Sequence, residues 1–156
     1  MKIYHYLPRG PFQTLDGYDA ALALRDALKR WEKSGLVKFI EGTGENQLVF
    51  EFGELDEAVV AHTYLPERQG DATKIVLNDE KVWSLATGIW NVFTFGAVNT
   101  VAVIGHEVGH ALGFQHAPPD VASVMVHNDD KARVYQSRYP TAYDYRVLEL
   151  SQLDAS

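Results

Sequence analysis

The chain has 156 residues, a formal net charge of −7 from 21 Asp+Glu against 14 Lys+Arg, and no cysteine. That length suits one domain whose core needs no covalent staples. The acidity argues against a nucleic-acid partner, and the missing thiols exclude disulfides, cysteine–zinc sites, iron–sulfur clusters and thiol catalysis.

In chain order, Lys2–Leu7 reads as a first strand. The opening MKIYHYLPRGPF has no uninterrupted apolar stretch, so no signal peptide is expected, and the chain is either intracellular or a mature segment. Ala20, Leu24, Ala27, Leu28 and Trp31 recur at helical spacing and predict a helix over Asp19–Trp31. Val37–Ile40, Leu48–Phe52, Val59–Tyr64 and Lys74–Leu77 read as strands. Val82–Gly105 carries no Asp, Glu, Lys or Arg, but its Ser, Thr, Asn and Gly residues make it too polar to span a membrane. It reads as a buried loop feeding a buried helix. Asn99 is the expected N-cap of that helix, Thr100–Leu112, and Gly113 its stop. Thr141 with Asp144 opens a last helix, Ala142–Leu153. This order of elements is α+β, or α/β with few helices.

Three of the six histidines fall within His106-Glu107-Val108-Gly109-His110-Ala111-Leu112-Gly113-Phe114-Gln115-His116. On a helix, His106 and His110 share a face one turn apart and can bind one Zn²⁺ together. Glu107 lies between them, placed to act as a base rather than a ligand. Gly113 accepts the positive φ that ends a helix sharply, and the turn then returns His116 as a third nitrogen ligand. Three protein ligands leave a fourth position for water, which is the catalytic arrangement.

This HExxHxxGxxH pattern is identified as the metzincin signature of zinc metallopeptidases. Ser123-Val124-Met125 resembles the Met-turn of that group, and only eight residues, Ala117 to Val124, separate His116 from Met125. The short link is most similar to the matrixin branch, the matrix metalloproteinases and their bacterial relatives. The Asn99-led apolar run and Val60-Ala61-His62 also resemble matrixin segments, as do Gly70-Asp71-Ala72 and Ile75–Asn78 with Trp83 following. The closing helix does too, although Tyr143 replaces an acid.

The resemblance implies an α+β, metzincin (zincin-like) fold. A twisted, mostly parallel five-stranded mixed sheet with one antiparallel edge strand would pack on two long helices, with a third helix at the C-terminus. It implies one catalytic domain over 1–156, with subdomains at about 1–116 and 117–156. It further implies a single catalytic zinc on His106, His110 and His116. A second, structural zinc is not expected, because only His62 stands at a matching place and Thr73–Lys74 occupy another. Calcium is left open by Asp71, Asp79 and Glu80.

The implied reaction is endopeptidase hydrolysis with Glu107 as general base, by a monomer acting on extended peptide or protein substrates. The peptide would pair with the strand at Val60, Ala61 and His62. Tyr135, Tyr139 and Pro140 are candidates for the S1′ wall. His127, two residues past Met125, departs from the matrixin pattern and could touch metal or an oxyanion. The family further implies export, with this chain as the mature part. The alternative is a non-catalytic or inhibited zinc-binding recognition module, against which the intact ligands and Glu107 speak.

Overall fold

A computed structural model describes residues 1–13, 19–84, 97–127 and 137–154, with the side chains of Ser84, Ala97 and Val98 left aside. Five strands form the main sheet: β1 (Lys2–Pro8), β2 (Val37–Glu41), β3 (Gln47–Gly53), β4 (Ala61–Tyr64) and β5 (Thr73–Asn78). Their spatial order is β2-β1-β3-β5-β4. The pairs β1–β2, β1–β3 and β3–β5 are parallel, while β4 runs antiparallel to β5 at the sheet's end. The mixed sheet with one antiparallel edge strand is thus the expected one.

Helix α1 (Ala21–Glu32) provides the crossover between the parallel strands β1 and β2. It buries Ala23, Leu24, Ala27, Leu28 and Trp31 as one stripe, while Lys29 and Arg30 complement the dipole of its last turn. Strand β5 is buried at every position but Lys74, and β3 is buried over Leu48–Phe50, as strands in the middle of a largely parallel sheet tend to be. Phe12, Phe50, Phe52 and Trp83 form a chain of ring contacts at one part of this core.

Helix α2 (Thr100–Ala111) packs against α1 and reaches β4 and β5. Asn99 caps it by accepting a hydrogen bond from the Ala102 N–H at 2.9 Å. Trp31, fully buried, ties the two helices together: its indole N–H donates to the Gly105 carbonyl at 2.9 Å. Helix α3 (Ala142–Asp154) docks through buried Leu148, with the Tyr145 hydroxyl donating to the Arg30 carbonyl and the Gln152 amide to the Leu36 carbonyl.

Two expectations are corrected. The fourth strand begins at Ala61 rather than Val59, because the Val59 N–H closes a turn onto the Asp56 carbonyl and the Asn78 side chain donates to the Val59 carbonyl. That stitching makes a turn of the residues before β4. The stretch expected as a loop contains two short parallel strands, β6 (Val82–Ser84) and β7 (Ala97–Asn99), forming a second sheet. Three residues are too few for a readable alternation.

Candidate metal centre

Helix α2 carries His106, Glu107 and His110, and its ending delivers His116. The Gly113 N–H donates to the His110 carbonyl at 3.0 Å and the Phe114 N–H to the Gly109 carbonyl at 2.9 Å. Gly113 has φ of +100°. This pair of bonds is a Schellman ending, which needs a left-handed residue where Gly113 stands. Phe114 then turns inward, its ring 5.2 Å from that of Trp31, and the chain reverses toward His116.

The three rings converge, with centroids 4.8, 4.9 and 5.2 Å apart. One nitrogen from each lies within 4.8 Å of the other two. The His106 Nδ1 lies 2.8 Å from the Val124 carbonyl and the His110 Nδ1 2.9 Å from the Phe114 carbonyl. A carbonyl only accepts, so each Nδ1 carries the proton and each Nε2 presents a lone pair. Those two Nε2 atoms face each other at 3.1 Å. Two lone pairs so close repel unless a cation lies between them. Nitrogens bound to one tetrahedral zinc at about 2.0–2.1 Å sit roughly 3.3 Å apart, so the donor set fits that ion. Burial pushes the His106 imidazole down to about pKa 4, with neighbouring His110 and His127 adding to the effect. His116 is lowered as well, first by desolvation and then by the other imidazoles. Neutral rings are the metal-binding form.

Glu107 is buried and accepts a 2.6 Å hydrogen bond on Oε2 from the Thr63 hydroxyl of β4. Met125 is buried beneath α2. A Cβ on Gly109 would collide with its sulfur, so only glycine at 109 admits that approach. The turn around Met125 is fastened by Asp144 of α3, itself fully buried. Its carboxylate accepts from the Ser123 hydroxyl, the Val124 N–H at 3.1 Å and the Thr141 N–H at 2.8 Å. The Ser123 oxygen in turn accepts from the Met125 N–H at 2.9 Å. A chain of bonds therefore runs from α3 through the turn to the His106 imidazole.

Of the other residues singled out in the sequence, His127 is exposed, with its ring 4.8 Å from that of His116. His62 and Tyr64 lie on the outer face of β4, ring against ring at 4.5 Å. Val60 and Ala61 pack partly against the core. Tyr139 lies under the Arg30 guanidinium, 4.0 Å from the ring centre, and so packs on α1. Tyr135 falls outside the described residues. Nothing in the sequence gives Thr63 or Gly109 a role of its own, and Ser123 enters there only as the first residue of the Met-turn resemblance. Alternation along β4 puts Thr63 on the inner face with Ala61, but nothing local names Glu107 as its partner.

A mixed sheet packed with a helix that bears two histidines, and a turn after it that returns a third, defines a metzincin-type domain, and comparison with known proteins agrees. The matrixin family model, Peptidase_M10, matches residues 4–139, and the chain belongs to that family of zinc metallopeptidases. Matrix metalloproteinase-A of Caenorhabditis elegans is 27% identical over 117 residues, which cover 69% of this chain and 21% of that protein. The chain thus spans about a fifth of that relative's length. The archaemetzincin of Methanopyrus kandleri superimposes with a TM-score of 0.56 at 13% identity, over 97% of this chain and 96% of that one. A chain in the GM1-bound form of the ECX AB5 holotoxin gives 0.64 at 13% identity, over 95% and 79%. At such identities the two structures speak for the fold alone.

Proposed function

We propose that the chain is a zinc-dependent endopeptidase acting on extended peptide or protein segments. The observation that carries this is the pair of Nε2 lone pairs held face to face on a helix that also carries the buried carboxylate of Glu107. His106, His110 and His116 would hold the ion, which supplies Lewis-acid polarisation of a carbonyl and acidifies a bound water. Glu107 takes the proton of the attacking water and passes it to the leaving amine. The substrate pairs with the edge of β4, which ends the main sheet and has one strand partner, β5, among the described residues. His127 borders the triad beside His116, and Met125 supports α2 from below as a Met-turn residue.

No described helix is long and apolar enough to cross a membrane, and the metalloproteinase relative favours work outside the cell. The test is turnover of a mixed quenched-peptide library by zinc-loaded protein, with and without chelator. Chelator-sensitive cleavage at defined bonds is expected. Stoichiometric zinc with no cleavage of any peptide would favour the recognition-module reading instead.

A further inference from the structure

The Thr63 hydroxyl reaches from the edge strand to the carboxylate beneath it. We propose that Thr63 is a positioning residue that selects Oε1 of Glu107 as the reacting oxygen. This rests on the reading of Glu107 as the base. The hydroxyl lies 2.6 Å from Oε2 and 3.1 Å from the Glu107 backbone carbonyl. It has one proton, and an ionised carboxylate can only accept, so the short bond runs from Thr63 to Oε2. An oxygen already holding a charge-assisted hydrogen bond is the weaker base of the two. Oε1 therefore takes the water's proton and later gives it to the amine. Thr63 keeps its own proton throughout, and no net transfer occurs through it.

Placement makes the role more than a chance contact. Thr63 is opposite Ile75 in the antiparallel register of β4 and β5, which fixes its backbone. Its threonine χ1 is stiff, so the hydroxyl direction is set with it. The carboxylate has backbone anchorage on α2, and the hydroxyl ties it to a second element, so Glu107 cannot swing between rotamers without breaking the bond. The same strand offers its outer edge to the substrate backbone, so one element would align the scissile bond and the base together.

The experiment measures kcat and KM for the zinc-loaded wild type and for Thr63→Val, Thr63→Ser and Thr63→Ala. Zinc content and melting temperature are measured on each. Valine keeps the shape and removes the hydroxyl. We expect Thr63→Val to lower kcat roughly 10- to 100-fold, with KM changed by less than about threefold and zinc retained. Thr63→Ser should return kcat to within about fivefold of wild type, a rescue that strand packing alone would not give. If the valine variant does not fold, the Ser/Ala pair carries the same contrast. Wild-type kcat in Thr63→Val, or equal losses in Thr63→Ser and Thr63→Ala, overturns the role of Thr63 and leaves the peptidase reading standing. A zinc-loaded wild type that cleaves nothing overturns both.

Discussion

Replacing each glycine of α2 by alanine should give opposite results one turn apart. Alanine favours a helix interior over glycine by about 1 kcal/mol. At Gly105 the new Cβ would meet Val124 Cγ2 at 3.5 Å, an ordinary contact. Gly105→Ala should therefore stabilise the protein by about 0.5–1 kcal/mol. At Gly109 the Cβ would fall within the Met125 sulfur, 3.1 Å from Met125 Cε and 3.3 Å from Trp31 Cζ2. Met125 and Trp31 are 1% and 0% exposed, so neither has solvent to move into. Overpacking of this kind costs roughly 1–3 kcal/mol, and the overlap places it at the upper end. After the helix gain, Gly109→Ala should lose about 1–2 kcal/mol. For a chain of this size that is a melting temperature lower by roughly 2–8 °C, against a rise of about 1–4 °C for Gly105→Ala. Displacing Met125 also moves Val124, whose carbonyl holds the His106 Nδ1, so zinc affinity should fall about 10- to 100-fold. Calorimetry of both variants and competition with a chromogenic chelator read the two effects. A Gly109→Ala protein as stable as Gly105→Ala, with unchanged zinc affinity, would show that Met125 does not press on α2 at Gly109.

Further outcomes follow from the same geometry. Asp144→Asn puts an amide among three donors that now share a carboxylate. It should cost about 2–4 kcal/mol, read as a lower urea midpoint, and an unchanged midpoint would deny Asp144 its fastening role. In chelated protein, His106 titrates near 4 when folded but near 6.5 when unfolded. Between those values the unfolded chain binds a proton that the native state refuses. Stability is therefore complete above about pH 6.5 and falls as pH drops through the window, by about 3 kcal/mol in all. Urea midpoints of the chelated protein at steps from about pH 7.5 to about pH 4 measure it, and a flat series would contradict the burial of that ring. Zinc at about 100 times its Kd should raise folding stability by about 2.7 kcal/mol, and chelation should reverse the gain.

Much of the centre was legible because its spacing is a property of the helix itself. His106 and His110 share a face by period alone, and Gly113 announces the left-handed ending that returns His116. The sheet was legible in kind through its β-branched runs, with the mixed topology implied by family resemblance. Partners from distant segments were not. Gly109 is a spacer within the motif until Met125, far along the chain, is seen pressing on it. Thr63 is an inward strand residue until α2 is placed beneath it. Asp144 was visible as a helix opener, but not as the acceptor that ties the Ser123–Val124 turn to α3. Nor does anything near Tyr139 in the sequence announce Arg30 of α1, whose guanidinium lies over its ring.

Glu107→Ala separates the base from the metal. Zinc content and peptide turnover would be measured on the variant and the wild type in parallel. Equal zinc and a turnover lower by about 10²- to 10⁴-fold in the variant are expected. A Glu107→Ala protein that still cleaves at the wild-type rate would contradict the role of Glu107 as base.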